Sequence, residues 1–258
     1  MLRVRSAQTT LYNGRDLAQN EHDAGNGHRP HLNGRASAAK QGPRSRLQGA
    51  EPFADVGTSV ADDVGVVELV ASAAFPTRFG EFTLYGFRDD GGGKEVTAVV
   101  RGNVAGTEGC PVRVHSECHT GDIFGSLRCD CREQLEHSLG YIAERDQGAV
   151  IYLRQEGRGI GLLNKIKAYR LQDLGLDTIE ANEYLGLPAD ARDYRVAARI
   201  IELLRIRSVR LLTNNPQKIA GLQEQGIEVD DRIPVRVDEN LHNAGYLRTK
   251  RDRMQHLI

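Results

Sequence analysis

Val150-Ile151-Tyr152-Leu153-Arg154-Gln155-Glu156-Gly157-Arg158-Gly159-Ile160-Gly161 reads as a short buried strand running into a glycine-rich turn. Apolar and aromatic residues without a polar break, then clustered glycines, mark a strand that stops abruptly. The stretch over 162–173 keeps a helical period and ends near Gly175, so a helix follows the turn. Strand, tight turn and helix in that order point to an α+β or mixed α/β fold.

Working outward, the C-terminal side repeats the alternation. Residues 191–204 predict a helix with Tyr194, Ala197, Ala198, Ile201 and Leu204 on its apolar face, and residues 209–212 a strand. Asn215-Pro216 opens another helix toward Gln225, Gly226 ends it, and residues 227–229 return as a strand. Toward the N-terminus, β-rich runs over 66–70, 79–87 and 95–100 are split by Pro76-Thr77 and by Asp90-Gly91-Gly92-Gly93. With residues 112–115 they predict a mostly antiparallel sheet. A helix with Leu135, Leu139 and Ile142 as its stripe should lie between that part and the strand at 150. Residues 1–64 hold no apolar period and are rich in Gly, Asn, Arg, His, Ser and Gln, so they read as a disordered tail. Residues 65–258 are then one folded domain.

The 258 residues carry 34 Lys and Arg against 35 Asp and Glu, so no global field favours a nucleic-acid or membrane partner. No apolar run is long enough for a membrane span and no leader-like stretch follows Met1, which makes a cytoplasmic protein the expectation. Four cysteines in a chain of this length do not form a disulfide scaffold.

Three of them fall in Cys118-His119-Thr120-Gly121-Asp122 and Ser126-Leu127-Arg128-Cys129-Asp130-Cys131. Three thiolates without a fourth suit a catalytic zinc, which keeps one position for water, whereas a closed structural zinc wants four protein ligands. His115 or His119 completing a structural site is the alternative, as are three unliganded thiols. Cys110 heads an apolar-alternating stretch and reads as a packed thiol. The turn from Arg154 to Gly161 can cradle an anion at a helix N-terminus, with Arg158 gripping phosphate. Any tight strand-to-helix turn also wants glycine. Asp190 and Arg192 read locally as a helix cap and a solvated arginine, or as a functional pair. Thr213 and Lys218 can take a phosphate or a base edge, or can be a strand end and a surface lysine.

Taken together, Arg113-Val114-His115-Ser116-Glu117-Cys118-His119-Thr120-Gly121-Asp122, the second cysteine motif, the stretch from Arg154 to Lys165, Leu211-Leu212-Thr213-Asn214-Asn215-Pro216 and Tyr246-Leu247-Arg248-Thr249-Lys250 resemble the GTP cyclohydrolase II family, in collinear order over about residues 66–256. The resemblance implies an antiparallel-rich N-terminal sheet with a mixed αβ C-terminal part. It implies hydrolysis of GTP to 2,5-diamino-6-(5-phospho-D-ribosylamino)pyrimidin-4(3H)-one, formate and pyrophosphate, the first step of riboflavin biosynthesis. One zinc per chain on Cys118, Cys129 and Cys131, magnesium with the triphosphate, and a homodimer come with it. Tyr169 resembles the residue acting at the opened imidazole. Arg192 resembles a nucleophile on the α-phosphorus, assisted by Asp190, although a guanidinium is protonated at ordinary pH and an organising role fits as well. Arg113, Val114, His115, Ser116, Glu117, Gln134, Glu156, Gly157, Arg158, Thr178, Thr213 and Lys218 resemble the GTP-contacting set. Gln255 stands where the family usually has glycine. The alternatives are a relative that stops at a formamide intermediate or serves a secondary-metabolite pathway, and a zinc-stabilised nucleotide-binding protein without activity.

Overall fold

Apolar residues at every second position fold the first part of the chain into a meander. In the computed structural model, which describes residues 59–62 and 65–257, strands β1 (Ser59–Asp62), β2 (Gly65–Thr77), β3 (Gly80–Asp89) and β4 (Lys94–Arg101) pair antiparallel with their neighbours in sequence. Along β4, Val96, Ala98 and Val100 are buried and the residues between them are not, the period-two burial of a strand with one dry face. Residues 1–58, most of the expected tail, lie outside the described residues. Its last part is corrected: Ser59–Asp62 pairs with Gly65–Glu68 as an edge strand. Pro76-Thr77 does not separate two strands as expected but closes β2 in register with Gly80–Glu81.

The second half of the sheet is parallel. Strands β5 (Cys110–Ser116), β6 (Gly148–Leu153), β7 (Ser208–Leu212) and β8 (Glu228–Ile233) continue the same sheet in the order β1-β2-β3-β4-β6-β5-β7-β8. β6 is antiparallel to β4 and parallel to β5, which makes it the seam. The expectation that residues 112–115 join an antiparallel sheet is therefore overturned, since β5 runs parallel to both β6 and β7. The physical reason is burial on both faces, which replaces alternation by a continuous buried run from Cys110 to His115.

Helices cover those faces. Helix α1 (Cys131–Ala143) lays Leu135, Leu139 and Ile142 against Phe82 and Val150. Ala149, Ile151 and Leu153, on the opposite face of β6, join the cluster that holds Ala197, Ala198, Ile200 and Ile201 of helix α4 (Arg195–Leu203) and Leu222 of α5 (Pro216–Gln223). Between β6 and α4 lie α2 (Leu162–Gln172) and α3 (Thr178–Tyr184), the latter begun by a capping box of Asp177 and Glu180. The expected helix over 191–204 starts later, at Arg195. Residues ahead of it are pulled toward the glycine turn, where Ala191 N donates to Arg158 O at 2.9 Å. Gly159 makes this approach possible: its φ is +91°, and a Cβ there would lie 2.7 Å from Ala191 O.

The chain ends in α6 (Ala244–Met254), which is polar and held by ions rather than by an apolar stripe. Lys250 Nζ donates to Asp130 Oδ1 at 2.6 Å, Arg253 pairs with Asp177, and Leu257 N donates to Asn214 O at 2.9 Å. Gln255 caps α6 with φ +57°, the left-handed region. A glutamine there carries a backbone cost of about 1 kcal/mol that glycine avoids. Among the described residues, no helix is long and apolar enough to cross a membrane.

Candidate active site

The loops that leave β5, β6 and β7 at their C-terminal ends meet over one open cavity, about 1050 Å³ when the space continuous with solvent is counted. Ligand sites of open α/β sheets form at that edge, where crossovers depart to opposite faces. The loop after β5 carries the cysteines. Cys118, Cys129 and Cys131 bring their Sγ atoms within 4.8 Å of one another. Cys118 and Cys129 stand 3.7 Å apart, against about 3.8 Å for the edge of a tetrahedron with zinc–sulfur bonds near 2.3 Å. Gly121 lets the loop close on the sulfurs, since a Cβ there would fall 2.8 Å from Cys129 Sγ and 3.2 Å from Cys118 Sγ. Three soft donors in this spacing can hold a metal ion and fit zinc. By themselves the three thiols cannot all ionise: hydrogen bonds from Cys129 and Cys131 pull Cys118 far down, and facing that thiolate pushes Cys129 and Cys131 up. Cys110 stays apart in the core, where burial pushes its thiol up to about 11.

A buried network fixes this loop. Asp122 Oδ2 accepts from Cys118 N at 2.9 Å and from Tyr152 Oη at 2.8 Å, and both its oxygens lie 3.2 Å from His115 Nε2. Burial pulls His115 below the usual imidazole range, so it is neutral, with its Nε2 hydrogen directed to Asp122. Asp130, between two of the cysteines, accepts from Lys250 and from Gln134 Nε2 at 2.5 Å; Gln134 in turn accepts from Arg113 at 2.6 Å. Burial lowers Arg113 to about 10, still a cation at neutral pH.

Helix α2 forms the next wall. Lys165 and Tyr169 are one turn apart and so face the same side. Lys165 Nζ lies 3.0 Å from Cys118 Sγ and 2.9 Å from Glu156 Oε1, and Tyr169 Oη is 3.4 Å from Thr120 Oγ1. Burial pushes Tyr169 up to about 12, which keeps the phenol protonated. Both carboxylate oxygens of Glu156 are taken by protein donors: Oε2 by His119 N and Oε1 by Gly157 N, each at 2.6 Å.

Cations line the cavity as well. Arg158 has φ +60° and both terminal guanidinium nitrogens buried without a hydrogen-bond partner among the described residues. Arg192 donates from Nε to Asp190 Oδ1 at 2.8 Å and from its terminal nitrogen to Oδ2. Burial opposes both charges, yet the pairing wins: Asp190 is held below the carboxylate range and Arg192 above its ordinary value. Lys218 is buried, not the surface lysine of one reading; its Nζ donates to Val114 O at 2.6 Å, and burial pushes its ammonium well down.

Of the residues expected to act in catalysis, substrate contact or metal binding, Val114 and Asp190 do not line the cavity, and neither does His119, the alternative ligand; the remainder do, including Glu117, Ser116, Thr178 and Thr213. Val114 contributes its carbonyl, and Asp190 sits behind Arg192. The helix-cap and solvated-arginine reading of that pair is overturned, because α4 begins beyond them and the Arg192 side chain is 9% exposed. Lys165, Tyr246 and Lys250, which stand in the quoted motifs without an assigned role, line the cavity as well, as do Asn182 and His256. Their residue types are ordinary surface choices, and only the turn of a helix or the return of the C-terminus brings them inward.

His256 gives the site a pH dependence. Burial, with Lys250, Arg158 and Arg192 nearby, pushes it down to about 3, while the unfolded chain titrates near 6.5. Between those values the unfolded state binds more protons, so stability is complete above about pH 6.5 and is lost as pH falls toward 3. Urea midpoints at pH 7 and pH 5 are expected to fall further in the wild type than in His256→Gln. Equal losses in the two proteins would remove His256 as the source.

Comparison with known proteins agrees with this geometry. The family model described as GTP cyclohydrolase II matches residues 68–234. The GTP cyclohydrolase-2 of Picrophilus torridus is 51% identical over 193 residues, 75% of this chain and 100% of that protein. That of Neisseria meningitidis serogroup A is 53% identical over 195 residues, 75% of this chain and 98% of its own. The riboflavin biosynthesis protein RibBA of Bacillus subtilis is 50% identical over 194 residues, 75% of this chain and 49% of its own. With half of the aligned residues identical along nearly the whole length of two such relatives, this chain belongs to the GTP cyclohydrolase II family.

Proposed function

We propose that the cavity binds GTP and hydrolyses it to 2,5-diamino-6-(5-phospho-D-ribosylamino)pyrimidin-4(3H)-one, formate and pyrophosphate, the first step of riboflavin biosynthesis. The observation that carries this is the pairing, in one cavity, of a three-thiol centre with the unpartnered guanidinium of Arg158. One end suits hydrolysis of the purine ring and the other suits a triphosphate. Three waters are consumed: one at the α-phosphorus, one at C8 as the C8–N9 bond breaks, and one as the formamide releases formate.

Zinc held by Cys118, Cys129 and Cys131 would supply Lewis acidity and a water acidified toward neutral pH. Magnesium would accompany the triphosphate as its counter-ion. Tyr169, kept protonated and beside Thr120, is positioned to donate a proton at the ring end. Arg158, Lys218 and Arg113 are the proposed grip on phosphate and nucleoside. For Arg192 the geometry supports an organising role. A guanidinium held charged by a two-point contact with Asp190 lacks the free lone pair a nucleophile needs, but it can steady charge on the α-phosphate while water attacks.

We further propose that the enzyme is a homodimer. Exposed Ile123, Phe124 and Leu127 lie on the segment that Arg128 ties to the C-terminal end of α2 at Tyr169 and Asp173, and Leu163, Ile166 and Leu174, on that helix or just beyond it, are exposed too. Sedimentation at assay concentration returning a monomer would remove that part. The reaction itself is tested by incubating purified protein with GTP and magnesium and following formate, pyrophosphate and the pyrimidine. Formate without pyrophosphate, or neither, contradicts the proposal.

A further inference from the structure

The three-thiolate centre has a charge problem that the sequence motif does not answer. Three thiolates around a dication leave one negative charge, and Cys118 and Cys129 are buried. An uncompensated charge in such a place costs several kcal/mol. The nearest cation is on another element: Lys165, on the first turn of α2, reaches across 47 residues of sequence to put Nζ 3.0 Å from Cys118 Sγ. Its side chain is 12% exposed, and Glu156 Oε1 at 2.9 Å fixes the ammonium from the other side. Glu156 keeps its own negative charge, steadied by the N–H groups of His119 and Gly157, so the ammonium is shared between this carboxylate and the Cys118 sulfur.

We propose that Lys165 is a positioning residue of the metal centre: it donates a charge-assisted hydrogen bond to the Cys118 thiolate, draws charge from that sulfur, and fixes the orientation of that ligand. The proposal rests on the metal reading given above. Glu156 is the clamp that holds Lys165 in place, tying the glycine turn, α2 and the cysteine loop into one unit. Hydrogen bonds of this kind to a ligand are worth roughly 10–100-fold in metal affinity.

The test uses the wild type, Lys165→Met, Lys165→Gln and Lys165→Arg, each loaded with zinc and, separately, with cobalt. Zinc affinity, read by competition with a chelator, is expected to fall roughly 10–100-fold in Lys165→Met. Lys165→Gln, which keeps a donor but no charge, should fall similarly, and Lys165→Arg should recover most of the loss. In the cobalt protein the sulfur-to-metal charge-transfer band should move to lower energy in Lys165→Met, because losing the ammonium raises the sulfur lone pairs. A merely structural lysine would not move that band. An unchanged band and unchanged zinc affinity in a normally loading Lys165→Met overturn the role of Lys165 alone. A wild type that takes up neither ion overturns the metal reading, and this inference with it.

Discussion

Cys129→Ser is expected to lose both the metal and ring opening, with formate release down at least about 10³-fold, roughly 4 kcal/mol of barrier. Serine is a harder, less acidic donor, and Cys129 is the sulfur that stands 3.7 Å from Cys118 and only 2.8 Å from where a Cβ on Gly121 would lie. Removing it leaves two thiols and no geometry for a third. Elemental analysis should find less than one zinc per chain, while Cys110→Ser, away in the core, should keep full loading. A metal-free Cys129→Ser protein that still released formate at the wild-type rate would end the metal reading.

Arg192→Ala and Tyr169→Phe should divide the reaction between them. Arg192 sits with Asp190 among the cations, and its removal is expected to slow pyrophosphate release about 10²–10³-fold, or roughly 2.7–4 kcal/mol. Tyr169 sits against Thr120 of the cysteine loop, so its loss should spare pyrophosphate release and let a nucleotide or formylated intermediate build up. Quantifying pyrophosphate and formate separately in both variants decides this. Normal pyrophosphate release by Arg192→Ala would take that residue out of the phosphoryl step. A covalent guanylyl adduct trapped on Arg192 would replace the organising role with a nucleophilic one.

What the sequence disclosed followed from local chemistry. The spacing of Cys118, Cys129 and Cys131 signals a shared ligand point whatever the fold, and the alternation along β4 or the stop of α2 near Gly175 needs only neighbours in the chain. The direction of β5 was not legible. A run buried on both faces looks the same in either sense, and its partner β6 lies across a whole crossover. Helix α3 carried a readable signal in Asp177 and Glu180 that an apolar-period reading passes over. Helix α6 had no apolar period to read, because Asp130 and Asp177 hold it through Lys250 and Arg253. Glu156 illustrates the limit for site residues. Its place in the motif suggested a contact with substrate, while its oxygens are occupied by His119, Gly157 and Lys165.

The cations around the cavity also bear on how a nucleotide arrives. Charges over the whole chain sum to −1, so beyond a Debye length, about 10 Å in 0.1 M salt, the far field of the protein is nearly flat. Arg113 and Arg158 nevertheless share one recess with Arg192 and Lys250, whose charges Asp190 and Asp130 partly offset, so positive charge is concentrated inside the cleft rather than spread over the surface. A polyanion drifting past the outer surface meets little guidance and is captured only once it enters the cleft. Selection of the ligand is therefore expected to fall on residence after collision rather than on steering before it, and association rates measured across an ionic-strength series should vary little.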